Sequence, residues 1–129
     1  MTYALATFHD PSLQSLGATY PGSTTIHIND AVTPQGFRAY FQGEIPSPSS
    51  AQKKAVLGRL ASLGWGWERI QKLLSSKLSV RRFLVLHEIS HLNHNDPETY
   101  HQKSPEEKIE IETRASLEAL EQILTEKAR

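Results

Sequence analysis

Ser79-Val80-Arg81-Arg82-Phe83-Leu84-Val85-Leu86-His87-Glu88-Ile89-Ser90-His91 predicts one helix, apolar on nearly every side until it presents three ionisable side chains within five positions. Such a helix belongs in the middle of a domain. Burying a carboxylate and two imidazoles there is costly unless a partner such as a cation compensates them. Residues four apart lie one above the other on a helix, so His87 and His91 can reach a single ion while Glu88 projects to the neighbouring side.

This is the HExxH arrangement, and it points to Zn²⁺ held by His87 and His91, with Glu88 as general base for water. The chain contains no cysteine, so no disulfide, thiolate ligand or thiol nucleophile is available, and any metal is bound by His and carboxylate.

Ser79 is the expected cap of the HExxH helix, and Asn93-His94-Asn95-Asp96-Pro97 is its expected end. The next helix opens with Ser104 as cap, Pro105 at the first helical position and Glu107 completing a capping box, and runs to about Lys127. Upstream, Tyr3 to Phe8, Thr24 to Ile28 and Phe37 to Gln42 have strand character, the last by alternation of Phe37, Ala39 and Phe41 with polar neighbours. The turn formers from Asn29 to Gly36 make the last two a hairpin and the sheet antiparallel. A Pro/Ser loop from Ile45 ends in a serine cap. Ala51, Ala55, Val56, Leu60 and Leu63 then recur at helical spacing, and so do Ile70, Leu73 and Leu74. Trp65 and Trp67, beside Gly64 and Gly66, read as core anchors at a helix corner. The expected fold is α+β: about three antiparallel strands on three to four helices, one domain over residues 1–129.

Lys and Arg total 14 and so do Asp and Glu, so no global field favours nucleic acid or an anionic membrane. Met1 to Ala6 lacks a signal-peptide pattern, and the longest apolar run, Phe83 to Leu86, is far short of a membrane span. A cytosolic address follows as the expectation. The glutamates crowded into the last quarter suggest a solvated helix face that carries something more.

A catalytic zinc needs a third protein ligand and an open position. His94, His101, Glu106, Glu110 and Glu112 are the candidates. At about 100° per residue, Ile109, Ser116, Ala119, Leu120 and Ile123 fall within roughly 80° of Glu112, whereas Glu110 lies about 160° away from it. Face placement therefore favours Glu112. Ala115 and Ala119 leave room for the last helix to approach the histidine-bearing one. Tyr100, His101, His27 and Tyr40 are available as oxyanion donors, and His9, before Asp10-Pro11, is assigned to a turn.

His87-Glu88-Ile89-Ser90-His91-Leu92, a short connection and a helix carrying Glu112-Thr113-Arg114-Ala115 together resemble the minimal gluzincin metallopeptidases, especially the ImmA/IrrE-type domains. The resemblance covers about Thr24 to Ile123, and only the HExxH helix is specific. It implies His87, His91 and Glu112 as ligands, Glu88 as general base, and the Thr24 to Ile28 strand as the edge along which an extended peptide pairs. The family segment usually reads Glu-x-Glu-Ala-Asn. Thr113 and Arg114 interrupt that pattern here, and aligning on Glu110-x-Glu112 makes Glu110 the ligand instead. The expected function is zinc-dependent hydrolysis of a peptide bond in a protein or peptide substrate. The rival is an inactive zinc-binding interaction module of the kind encoded by phages or mobile elements.

Overall fold

Asn29 shapes the first third of the chain. It is fully buried; its side-chain oxygen accepts the N–H groups of Asp10 (3.1 Å) and Ala31 (3.0 Å), and its amide donates to the carbonyls of Asp10 and Ser15 (both 2.9 Å). A buried amide satisfied at both ends fixes the path of the loop around it. In the computed structural model, which describes residues 2–128, that loop carries the chain from β1 (Ala4–Phe8) through β2 (Gly17–Ala18) to β3 (Thr25–Asn29). β3 pairs parallel with β1 and antiparallel with β2, giving the order β1-β3-β2.

The sheet is therefore mixed, not antiparallel as expected, because the segment between β1 and β3 crosses over before β3 begins. The Thr24 to Ile28 segment is correspondingly the central strand. β2, unsuspected in the sequence, is the edge on one side.

Phe37 to Gln42 is not a strand either. Thr33 accepts the Gly36 N–H at 3.0 Å and Pro34 occupies the first turn, so α1 (Pro34–Phe41) starts with a complete cap. Phe37 and Phe41 then share a helical face, with ring centroids 4.7 Å apart, and both meet Phe83. The alternation that suggested a strand was coincidental with this one-turn spacing. The expected hairpin is absent for the same reason.

The remaining helices are α2 (Ser50–Ser62), α3 (Trp67–Leu73), α4 (Lys77–Asn93), the single turn α5 (Asp96–Thr99) and α6 (Pro105–Lys127), with a 3₁₀ turn at Tyr100–Gln102. α2, α3, α4 and α6 are the four helices expected, and the architecture is α+β. α4 begins one turn earlier than expected. Ser76, not Ser79, is its cap, and Ser79 supplies the reciprocal bond of the capping box. The Ser104/Glu107 box at the start of α6 forms as expected. α4 buries Val80, Phe83, Leu84, Glu88, Ser90 and His91, while Leu78 is exposed, so it is central along one face and not all round. Trp65 is buried and Trp67 stacks on Phe37.

One hydrophobic cluster draws on residues from Leu13 to Ile123. α6 lies along α4 through Ala115, Ser116 and Ala119, all essentially without solvent exposure. Small side chains at that seam are what let the two helices approach closely. Among the described residues no helix is long and apolar enough to cross a membrane.

Candidate metal centre

Three side chains from two helices converge on one point. The Nε2 atoms of His87 and His91 lie 3.1 Å apart, and Oε1 of Glu112 is 3.0 Å from the first and 2.8 Å from the second. The one-turn spacing of α4 places the imidazoles, with ring centroids 4.7 Å apart, and the small-residue seam brings Glu112 of α6 to them.

The far side of each ring is also held. His91 Nδ1 is 2.9 Å from Asp96 Oδ2, which in turn accepts a bond from Arg114. A carboxylate can only accept, so Nδ1 of His91 carries the proton and, in the neutral ring, Nε2 presents a lone pair toward the cluster. His87 Nδ1 meets the Ser116 hydroxyl at 3.2 Å, a partner able to fix the same tautomer. Glu112 Oε2 accepts from the Tyr100 hydroxyl (3.2 Å), which accepts from Gln52 Nε2 (3.0 Å).

Three lone-pair atoms aimed at one another repel unless a cation lies between them. Without one, protons do that work. Burial resists charging His91, but the hydrogen bond and charge of Glu112, with Glu88 and Asp96, outweigh it and its pKa is pushed up to about 9. Burial likewise pushes the Glu112 carboxyl up, yet the bonds and charges of His87 and His91 hold it well below the ordinary carboxylate range. The donor set, two imidazole nitrogens and one carboxylate oxygen, is that of a catalytic zinc site, and the rings are braced from behind as such ligands are. Tetrahedral bonds of about 2.0–2.1 Å need donor separations of about 3.3 Å, a few tenths of an ångström more than here. The residues fit the ion.

Glu88 points elsewhere, toward β2. It is buried; Thr19 Oγ1 donates to its Oε2 at 3.4 Å, and a methyl group on Gly17 would lie 3.2 Å from its Oε1. Burial raises its pKa, opposed by the charges of His87 and His91. Glu88, the histidines and Glu112 all line one cleft of about 400 Å³, walled by Leu16, Phe41, Val56, Phe83 and Leu84.

No family model, curated protein or solved structure matches this chain.

Of the other candidates, Glu110 is exposed near Arg59 (3.9 Å), Glu106 bonds the same arginine, and His94 pairs with Glu118 (3.3 Å) on an exposed surface. None reaches the cluster. His101, Tyr40 and Tyr100 line the cleft, whereas His27 packs edge-on against Tyr20 in the sheet. His9 bonds Asp30 at 2.7 Å at the exposed end of the β1 to β2 loop. Asp96 figured in the sequence only as part of a helix stop, Ser116 only as part of a stripe, and Thr19 and Lys53 not at all. A weak signal existed for Asp96: an aspartate five residues after the second histidine, in the turn that ends the same helix.

Proposed function

We propose that this chain is a zinc-dependent peptidase that hydrolyses a peptide bond in a protein or peptide substrate. The observation that carries this reading is the convergence of His87 Nε2, His91 Nε2 and Glu112 Oε1 beside a buried Glu88, on one cleft. His87, His91 and Glu112 would hold Zn²⁺; when bound, it supplies a Lewis acid that polarises a carbonyl and makes water acidic near neutral pH.

The chain's own groups then divide the work. Asp96 holds His91 in the tautomer that leaves Nε2 free, and the Ser116 hydroxyl, by accepting from Nδ1, can do the same for His87. Glu88 takes a proton from the attacking water at a carboxylate oxygen and returns it to the leaving amine, a role suited to a carboxyl whose pKa burial has raised. Thr19 keeps that carboxylate facing the cleft. Tyr40, on the cleft wall, offers a hydroxyl to the developing oxyanion, while the Tyr100 hydroxyl is engaged with Glu112. β2, at the sheet edge beside Glu88, offers backbone to an extended substrate. A cytosolic setting belongs to the same proposal.

The test is Glu88→Gln. The variant is expected to retain one zinc per chain by metal analysis of untagged protein and to lose turnover of a peptide library. Zinc at full occupancy with no cleavage by the wild type would replace this reading with that of a zinc-stabilised interaction module. Absence of stoichiometric metal would remove both.

A further inference from the structure

Among the described residues Lys53, near the start of α2, is a cleft charge that no opposite charge answers. It is 6% exposed. Its ammonium donates to Ser47 Oγ at 3.1 Å and rests over the Tyr40 ring, 3.4 Å from the centroid; no carboxylate pairs with it. An ammonium on so little-exposed a side chain, with a hydroxyl and a π face as its protein partners, keeps hydrogen-bonding capacity for an anion that enters the cleft.

The other cleft charges are accounted for. Asp96 is matched by Arg114, and a divalent ion held by His87, His91 and Glu112 would match the charges of Glu112 and the nearby Glu88. Lys53 would then be the surplus positive charge of the loaded site. Burial pushes its pKa down, and no neighbouring carboxylate opposes that.

Its position is adjacent to the chemistry. Gln52, the preceding residue, bonds the Tyr100 hydroxyl that bonds Glu112, and the Tyr40 ring beneath Lys53 lies within the field of Glu112 and Glu88. Lys53, Tyr40 and the His87/His91/Glu112 cluster line the same cleft.

We propose that Lys53 is a carboxylate-binding subsite, selecting substrates with an acidic group beside the bond that is cut. It rests on the peptidase reading for its purpose, though not for its chemistry. The carboxylate comes either from an Asp or Glu side chain flanking the bond or from a free C-terminus.

The zinc-loaded protein tests this with N-acetylated, C-amidated hexapeptides carrying one Glu or, isosterically, one Gln at each position, and with neutral hexapeptides whose C-terminus is free or amidated. Cleavage rates give one readout. Calorimetric binding to Glu88→Gln protein gives a second that needs no turnover. The expected result is a preference of about tenfold or more for the carboxylate at one position. Lys53→Met should bring that ratio to about one, and Lys53→Glu should bring it below one. Preference for Glu over Gln identifies an internal acidic residue, and preference for the free terminus a C-terminal one. Lys53→Gln replaces Lys53→Met should the latter not fold. A carboxylate preference in binding that Lys53→Met abolishes, without any cleavage, leaves the subsite standing and removes the peptidase. Wild-type protein that does not discriminate in either assay, or a preference that survives Lys53→Met, overturns the subsite.

Discussion

Asp96 Oδ2 lies 2.9 Å from His91 Nδ1 and accepts a bond from Arg114 on the facing helix, so a residue of α6 steadies a histidine of α4 through a carboxylate between them. Replacing Asp96 by Asn removes the obligate acceptor and lets a side-chain amide donate to Nδ1, which turns the proton onto Nε2. Zinc affinity should fall about 10- to 100-fold. Arg114→Gln should produce a smaller loss in the same direction. Competition against a chromophoric chelator measures both, and unchanged affinity in Asp96→Asn would show that the bond is incidental.

Metal-free protein should lose stability as pH rises. His91, with its folded pKa pushed up to about 9 from an ordinary 6.5, contributes stability that is fully present below about pH 6.5 and is lost as pH climbs through 9. The loss is on the order of 3 kcal/mol at most. Zinc bound at the proposed centre would displace that proton, so the rise in Tm on adding zinc should grow across the same window. Thermal melts of chelator-treated protein between pH 6 and 9.5, with and without zinc, test the sign.

Gly17 holds β2 against Glu88. A methyl group there meets Glu88 Oε1 and the His27 carbonyl, each at 3.2 Å, so Gly17→Ala should displace the carboxylate by a few tenths of an ångström. Turnover should drop about tenfold while zinc content stays at one per chain. Equal loss of zinc and activity would place the damage in the fold instead.

Ala115 has no solvent exposure at the seam between α4 and α6. Ala115→Leu should cost about 1–3 kcal/mol of stability by overpacking. It should also weaken zinc binding, because α6 must move outward and carry Glu112 with it. Urea denaturation with and without zinc separates the two effects.

The parts legible in the sequence were those decided within one helix. The His87/His91 spacing, the Ser104-Pro105 start of α6 and the burial of the Glu112 face follow from a 3.6-residue period and local cap chemistry. Face placement also separated Glu112 from Glu110, which the structure leaves in solvent. What failed depended on distant partners. Thr33 and Pro34 did announce a helix, but the alternation from Phe37 masked them, and only packing against Phe83 decides between the two patterns. β2 is two residues long and exists because β3 is beside it. Nothing local marks Lys53 as buried, since a lysine near a helix start is ordinarily solvated.

His91 and Glu112 lie 21 positions apart in the chain, and about half of that stretch is the connection through α5 and the 3₁₀ turn. An ion shared by both ends would close that connection into a ring, as a covalent staple does, and would restrict the chain as well as add bonds to the fold. Nicking by protease between His94 and Ser104 would then report occupancy of the centre: resistant when loaded, susceptible when stripped.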